Sequence, residues 1–205
     1  RTKEWYDARK GRFTASEIHR LCGKETLKST QESIISYCEE KANEIVFGIN
    51  EDEGFVSADI RRGIELEPIA FEKFSELKFL EFIDVNTASF YVYNDSSGAS
   101  PDGLVGSDSV LEIKCPRPEK FFRIIRRGYD ALDDSWKWQM QHQMLCTNSV
   151  KAHFFAYQIY NGVEMWHEII VLRNEEMINT IKERISKAVI LRDELVEYLI
   201  KEKQF

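Results

Sequence analysis

The sequence predicts an α/β (α+β) fold in which a central mixed β-sheet is flanked by helices. Segments with helical and strand-like patterns follow one another in the order ααα-ββ-αα-ββ-α, which is typical of mixed strands covered by helices. The chain has 205 residues, 43% hydrophobic and 31% charged, which is enough for one substantial core. With 4 Pro and 10 Gly, the composition excludes disorder, collagen-like repeats and a coiled coil. We expect a single domain over residues 1–205.

Two helices are expected near the start of the chain. Thr14-Ala15-Ser16-Glu17 has the form of a capping box, with Gly23 downstream. Ser29-Thr30-Gln31-Glu32 repeats this form before a periodic apolar stripe, and Gly48 supplies a stop signal.

A third helix is expected after an acidic loop from Glu51 to Gly54. It extends from Ser57 to about Phe79, and Pro68 must kink it or begin a new segment because proline lacks a backbone N–H. Its candidate buried positions are Ile60, Ile64, Ile69, Phe71 and Phe74.

A β-hairpin is expected in the middle of the chain. Asp84 to Tyr93 is rich in β-branched and aromatic residues, and Asn94 to Ser97 has the composition of a turn. Val110 to Cys115 gives a second strand beyond a loop from Gly103 to Ser109. A first strand that reaches Asp102 would bring its carboxylate beside the second strand.

The last part of the chain contains helices and a second hairpin. Pro118 suits the first turn of a helix, and Ser135 to Cys146 is expected to be helical. Val150–Tyr160 and Val163–Leu172 flank Asn161-Gly162, a strong signal for a tight turn. The final helix is expected to begin after a capping residue, Asn174.

Charge is unevenly distributed along the chain. The formal net charge is −7, which argues against nonspecific binding of nucleic acid by the whole surface. Residues 1–28, however, hold eight Lys or Arg against four Asp or Glu, and residues 114–127 hold six against one. Positive charge in two short segments of an acidic molecule favours one local site for a polyanion.

Other classes are disfavoured by the sequence. The four cysteines lie far apart without a C-x-x-C pair, so we expect neither a structural zinc site nor a disulfide framework. No apolar run approaches the roughly 18 residues of a membrane span, and residues 1–10 lack the apolar core of a signal peptide. We expect a cytoplasmic protein with no membrane partner.

The most informative residues lie on and before the second strand. Ser100-Pro101-Asp102-Gly103 is followed, after nine residues, by Glu112-Ile113-Lys114. Glu112 and Lys114 share one face of a strand, and Ile113 points into the core. Two close carboxylates favour a cation between them, and their oxygens suit Mg²⁺ or Mn²⁺ better than zinc. The alternative is an exposed strand with a chance Glu–Lys pair.

This pattern, P-D-x(9)-E-I-K, resembles the signature of the PD-(D/E)XK nucleases, whose core is like that of restriction endonucleases. Its context resembles the phage lambda exonuclease and YqaJ-type viral recombinase family from about residue 5 to about residue 172. The opening resembles W-x(3)-R-x(4)-T-A-S, and a later helix resembles G-x(3)-E-x(2)-A. The matching segments are Trp5–Ser16, Arg62–Ala70, Ser100–Gly103, Glu112–Pro116 and Gln139–Gln141.

The resemblance implies a catalytic centre. Asp102 and Glu112 would bind metal together with the Ile113 carbonyl, Lys114 would activate water, and Glu67 would be a third acid. The implied cofactor is Mg²⁺, with Mn²⁺ as a substitute and two ions per site plausible. Without the family match, Glu67 is an ordinary exposed helical glutamate.

The resemblance also implies a pocket for a terminal 5′-phosphate, formed by Arg9, Ser16 and Ser100. Guanidinium groups bind phosphate through two hydrogen bonds, which suits Arg9. The family places a further basic residue after the E-x-K strand, and here Arg117 and Lys120 both remain candidates. Arg9 as a solvated charge is the alternative.

A glutamine-rich helix is expected to follow. Gln139 and Gln143 share one face, and Gln141 lies about 200° from Gln139. The family pattern favours Gln139 as the site residue, although a half-buried helix without a site role remains open. His142 is expected to be structural.

The activity implied is a Mg²⁺-dependent 5′→3′ exonuclease that acts on ends of double-stranded DNA, releases 5′-mononucleotides and leaves 3′ single strands for recombination. The resemblance further implies a homotrimer and a single-strand annealing protein as partner. A restriction or repair endonuclease and a DNA-end binding protein without catalysis are the alternatives.

Overall fold

A computed structural model describes residues 3–24, 27–48, 57–78, 82–83 and 89–202, and only the backbone at 82 and 83. The helices are α1 (Lys3–Arg9), α2 (Lys28–Phe47), α3 (Ala58–Leu77), α4 (Pro118–Arg127), α5 (Asp134–Thr147) and α6 (Glu175–Glu202), with 3₁₀ helices at Ala15–Arg20 and Gly128–Ala131. The strands are β1 (Phe13–Thr14), β2 (Phe82–Ile83), β3 (Tyr91–Asn94), β4 (Ser97–Ala99), β5 (Gly103–Val105), β6 (Ser109–Lys114), β7 (Lys151–Tyr160) and β8 (Val163–Leu172).

The strands form two mixed sheets flanked by helices. The larger sheet has the order β2-β5-β6-β7-β8, in which β6 and β7 are parallel and the other neighbours antiparallel. The smaller sheet has the order β1-β4-β3, with β1 parallel to β4. The predicted fold class is therefore confirmed. Within the described residues, no helix is long and apolar enough to cross a membrane.

Strand β6 lies between β5 and β7, and its alternation places different residues on the two faces of the sheet. Leu111 and Ile113 pack in an apolar cluster with Phe74 of α3. Val110, on the opposite face, packs with Met140 and other apolar residues of α4 and α5. Because residues on one face recur at every second position, Glu112 shares the α5 face of the sheet.

The expected partner of β6 is wrong. The strand predicted from Asp84 contributes β3, which turns at residues 95–96 and pairs with β4 in the smaller sheet. The hairpin partner of β6 is β5, inside the segment expected to be a loop. Gly106, whose φ is +60°, begins the tight connection between β5 and β6. This connection allows the short strand β5 to pair with β6. Residues 84–88 and the predicted acidic loop at 51–54 lie outside the described residues.

Both predicted capping boxes are wrong. Thr14 belongs to β1, and its side chain makes no capping bond to the 3₁₀ helix that follows, because its backbone amide and hydroxyl face Tyr37 instead. Helix α2 begins at Lys28 after Leu27, so Ser29 lies inside it. The first helix, α1, was not predicted. By contrast, Ser57 caps α3 by accepting from the Ile60 amide at 3.2 Å.

Helix α3 continues through Pro68, so the alternative of a new segment at this residue is wrong. Phe79, its predicted end, lies outside the described residues. Phe74 is buried as expected and Phe71 is half-buried. The predicted burial of Ile60, Ile64 and Ile69 is wrong, since they are 53%, 64% and 41% exposed. The sheet covers α3 around its C-terminal half, where Ala70 and Phe74 are buried.

Three local predictions in the C-terminal part are confirmed. Helix α4 has Pro118 in its first turn, and β7 and β8 form a hairpin. Asn161 and Gly162 both have positive φ, 50° and 76°, as a tight turn of this kind requires. The Asn174 carboxamide accepts from the Met177 amide at 3.0 Å and caps α6.

Candidate active site

Asp102 occupies the point where the β5–β6 ladder ends. Its backbone amide donates to the Leu111 carbonyl at 3.0 Å, and its Oδ2 accepts from the Ile113 amide at 2.6 Å. Strand β5 has no further residue opposite Ile113. Because the N–H and C=O of a strand residue point to the same side, the Ile113 carbonyl faces the same edge as the Asp102 side chain.

Glu112 is held at both carboxylate oxygens. Its Oε1 lies 2.5 Å from Nζ of Lys114, and its Oε2 accepts from Nε2 of Gln143 at 2.5 Å. The side chain is 2% exposed. The structure therefore places the predicted Glu112 and Lys114 on one face, as the strand period implies.

These charges affect one another strongly. Burial, followed by the negative charges of Glu112 and Glu67, raises the pKa of Asp102 well above its ordinary value. Burial alone would lower the pKa of Lys114, but Glu112 and Asp102 raise it above the ordinary value. The side chain of Lys114 is therefore a cation in this arrangement, and it offsets part of the carboxylate charge.

Glu67 and Asp102 line the same cavity, called here the first cavity. It has a volume of about 460 Å³, and Trp5, Ser100 and Ile113 also line it. Glu67 projects into it from α3, whereas Glu65 is not among its lining residues. The structure thus brings the predicted third acid to the cavity that Asp102 and Ile113 line.

Two carboxylates of β8 fix α3 on the sheet. Glu164 accepts from the Tyr157 hydroxyl at 2.6 Å and lies 3.1 Å from Nζ of Lys73 on α3. Glu168 lies 3.1 Å from Nζ of Lys78, near the end of the same helix. These ion pairs connect α3, which carries Glu67, to the larger sheet, whose strand β6 carries Glu112.

The predicted phosphate ligands meet around one tryptophan. Trp5 donates from Nε1 to the Ser100 hydroxyl at 3.1 Å, and the Arg9 guanidinium lies 4.2 Å from a Trp5 ring centroid. Arg9 also reaches the Thr14 hydroxyl at 3.4 Å, which lies 3.4 Å from the Ser16 hydroxyl. We call these five residues the Trp5 cluster.

The sequence did not indicate that Trp5 and Thr14 belong to the site, although both lie in the segment that resembles the family. A signal for Trp5 existed, because it lies four residues before Arg9 and so shares a face of α1. The proximity of Ser100, 95 residues further along the chain, has no local signal.

Arg117 and Lys120 lie elsewhere, on a second cavity of about 520 Å³ that Lys114 also lines. Arg117 pairs with Asp59 at 2.7 Å, and Lys120 pairs with Asp133. The structure places both beside Lys114 and puts neither in the Trp5 cluster. Asp59 and Asp133 also line the second cavity, so its walls carry both basic and acidic side chains.

The polar residues of α5 differ in the groups that they contact. Gln139 is buried, 8% exposed, and the contact with Glu112 is made by Gln143 on the same helix face. Gln141 bonds to backbone groups at residues 172 and 174. His142 pairs with a serine of β4 at 2.7 Å, in agreement with a structural role.

The donor set suits a hard divalent cation. Among the described residues, no group of three or more His, Cys, Asp or Glu side chains forms a metal centre as it stands. Asp102, Glu112 and the Ile113 carbonyl nevertheless supply oxygen donors at the end of β6, where burial and the charges of Glu112 and Glu67 raise the pKa of Asp102. Oxygen donors of this kind fit Mg²⁺ or Mn²⁺ and disfavour zinc.

Comparison with known proteins gives a consistent result. The alkaline exonuclease LHK-Exo from Laribacter hongkongensis is 27% identical, covers 98% of this chain and 97% of its own, and superposes with a TM-score of 0.82. The same values hold for LHK-Exo in complex with dAMP. A phage-related exonuclease from Haemophilus somnus 129PT shares the fold, at 19% identity, 92% and 96% coverage and a TM-score of 0.70. Comparison with curated proteins returned no match.

The similarity to these exonucleases indicates a nuclease. The family model of the YqaJ-like viral recombinase domain matches residues 4–150, a range that contains every residue of the Trp5 cluster as well as Glu67, Asp102, Glu112 and Lys114. On this match the chain belongs to the YqaJ-like viral recombinase domain family.

Proposed function

We propose that the protein is a Mg²⁺-dependent exonuclease that degrades one strand of double-stranded DNA from its 5′ end. It releases 5′-mononucleotides and leaves a 3′ single strand, which a single-strand annealing protein then pairs with a complementary strand in the cytoplasm of a bacterial or phage-infected cell. The observation that carries the proposal is the first cavity. Ser100 and Trp5 line it beside Asp102 and Glu67, so a candidate phosphate site adjoins a candidate site of cleavage.

The site residues have different roles in this proposal. Asp102, Glu112, Glu67 and the Ile113 carbonyl would hold the cation. The chemistry that Mg²⁺ would supply when held there is polarisation of a phosphodiester oxygen and a lower pKa for an attacking water. Lys114 orients the attacking water and neutralises charge that develops at phosphorus.

The Trp5 cluster determines which bond is cut. Arg9 holds the terminal phosphate while the next phosphodiester lies at Asp102. Water adds to phosphorus, the bond from phosphorus to the 3′ oxygen breaks, and that oxygen gains a proton. The shortened strand keeps a 5′-phosphate, which can bind at Arg9 in the next cycle. The complex of LHK-Exo with dAMP supports a deoxynucleoside monophosphate as ligand.

The first experiment is digestion of a linear duplex labelled at each end in turn, with Mg²⁺ or with a chelator. Mononucleotides should appear first from the 5′ label and only with Mg²⁺. Cleavage of a covalently closed circle would favour the endonuclease. Binding of ends without release of nucleotides would favour an end-binding protein.

Replacement of Lys114 tests the catalytic assignment. We expect Lys114→Ala to fold and bind DNA nearly as before but to lose more than tenfold in rate, which is about 1.4 kcal/mol of transition-state stabilisation. Lys137→Ala is a matched control, because Lys137 pairs with Asp134 on the surface of α5. A Lys114→Ala protein that keeps more than about a tenth of the rate would remove Lys114 from the mechanism.

A further inference from the structure

Two buried glutamines of α5, Gln141 and Gln143, make contacts of different kinds. We propose that Gln143 is a positioning residue that orients Glu112 for divalent-cation binding, an inference that rests on the proposed metal-dependent function. Gln143 would act through Glu112 and would not touch the substrate. Its substitution should therefore change metal affinity more than it changes the fold.

The contact itself is short and shielded. Gln143 is fully buried and donates from Nε2 to Oε2 of Glu112 at 2.5 Å. Lys114 takes the other oxygen, Oε1, at 2.5 Å. A carboxylate that is bonded at both oxygens cannot rotate freely, so its remaining lone pairs keep a fixed direction. Hydrogen bonds to a charged acceptor are also the stronger kind.

Gln141 shows what a structural glutamine looks like on this helix. Its Nε2 donates to the Leu172 carbonyl at 2.9 Å, and its Oε1 accepts from the Asn174 amide at 2.8 Å. Both ends of this amide are used, and they connect α5 to the start of α6. Gln141 therefore contributes to packing through contacts with backbone groups at residues 172 and 174 and not with the carboxylates.

Only the Nε2 end of the Gln143 side-chain amide makes a hydrogen bond among the described residues. Its Oε1 is buried and has no hydrogen-bond partner among the described residues, because the carboxylate requires the amino group of the amide to face Glu112. A buried acceptor without a donor is destabilising, and an apolar side chain of similar size would avoid this cost. A glutamine at this position is thus better explained by its contact with Glu112 than by packing.

The effect expected is on metal affinity. Residues that hold a metal ligand in place change affinity or activity by about 10- to 100-fold when they are replaced. Gln143→Met keeps length and apolar volume and removes the donor. Gln141→Met makes the same chemical change on the same helix and leaves Glu112 untouched.

The experiment measures Mn²⁺ binding by calorimetry on the full chain without DNA, together with the Mn²⁺ concentration that gives half-maximal nuclease activity. We expect Gln143→Met to bind Mn²⁺ about 10- to 100-fold more weakly and to need correspondingly more for half-maximal rate. Gln141→Met should bind Mn²⁺ like the wild type, even where its melting temperature falls.

Several results would overturn the inference. Wild-type Mn²⁺ affinity in Gln143→Met, or equal weakening in both variants, would show that Gln143 has no specific role. If Gln143→Met does not fold, a crystal structure of the wild type with Mn²⁺ decides, and a Gln143–Glu112 separation beyond hydrogen-bond distance would contradict the proposal. Failure of the wild type to bind Mn²⁺ would overturn both this inference and the metal dependence. Binding without release of nucleotides would refute only the proposed nuclease activity.

Discussion

A single indole side chain brings together two of the proposed phosphate ligands, Arg9 and Ser100. Trp5 is 7% exposed, contacts Arg9 through its ring and donates to Ser100 through its nitrogen. Stacking on an aromatic face leaves the planar edge of a guanidinium available for two parallel bonds to phosphate. The orientation of Arg9 is therefore set before any phosphate arrives.

Arg9 should distinguish phosphorylated from dephosphorylated ends. Removal of the 5′-phosphate should slow the first cuts by the wild type, and Arg9→Ala should erase this difference, because a lost charge-assisted contact is worth about 1.5–3 kcal/mol. Arg9→Lys keeps the charge but not the planar donors, so it should retain a smaller preference. The measurement is the initial rate on both ends, and an equal loss on both would make Arg9 a general contact to the DNA backbone.

At the scale of elements, α5 has polar side chains at its most buried positions. Residues 139–145 are all buried, and glutamines and a histidine lie among them. His142 connects this helix to β4 through Ser97, just before Ser100 of the Trp5 cluster. The helix therefore contacts Glu112 through Gln143, and through His142 it contacts the smaller sheet that precedes Ser100.

The buried histidine should make stability depend on pH. Burial lowers the pKa of His142 from 6.5 to about 3. The unfolded chain therefore takes up a proton below pH 6.5 that the folded chain does not, and stability must fall as the pH falls. From pH 7 to pH 5 this single group should cost about 2 kcal/mol.

Urea unfolding of the wild type and His142→Leu at pH 7, 6 and 5 checks this expectation. The carboxylates titrate in both proteins, so the difference between the two isolates the histidine. The wild-type advantage should shrink as the pH falls. Parallel profiles for the two proteins would contradict the assignment.

Elements with strong local signals were predicted from the sequence, and elements stabilised by distant partners were not. Asn161-Gly162 and Asn174 carry their own turn and cap chemistry, and both predictions are confirmed. Strands β1, β4 and β5 have only two or three residues each, and such short strands form only where a neighbour offers its ladder. The wrong partner of β6 follows from this limit.

The same limit separates the site contacts that the sequence predicted from those that it did not predict. Because side chains alternate along a strand, the sequence predicted that Glu112 and Lys114 share a face. Their short separation in sequence from Asp102 predicted that Asp102 lies near them. The order within α5 did not reveal whether Gln139 or Gln143 reaches Glu112, because the two share one helix face and only the approach of α5 to β6 decides. Contacts across 95 residues, such as that of Trp5 with Ser100, depend on the whole fold.

In the whole molecule, the two basic segments contribute to different parts of the site. The first supplies Arg9 to the Trp5 cluster, and the second supplies Lys114, Arg117 and Lys120 to the second cavity. The rest of the chain is acidic enough to bring the net charge to −7. We expect this arrangement to favour contact with DNA near the site and to disfavour it on the acidic remainder of the surface.

We expect a ring-shaped homotrimer with the basic segments facing inward. A closed ring confines DNA without requiring tight binding by each acidic subunit, and cyclic symmetry forms it from one repeated interface. Light scattering coupled to size exclusion at micromolar concentration should give the mass of three chains of 24.0 kDa each. A monomer that digests long duplexes without dissociating would refute the ring.

The crowding of carboxylates at the end of β6 also affects how this protein can evolve. Asp102 and Glu112 lie close enough for their charges to interact, and Lys114 offsets only part of their repulsion, so this repulsion opposes folding when no metal cation is bound. Asparagine at position 102 would keep an acceptor for the Ile113 amide and remove one charge. Selection for thermal stability alone would therefore favour loss of the site, and a lineage released from the need to cut DNA would drift toward a more stable, inactive relative.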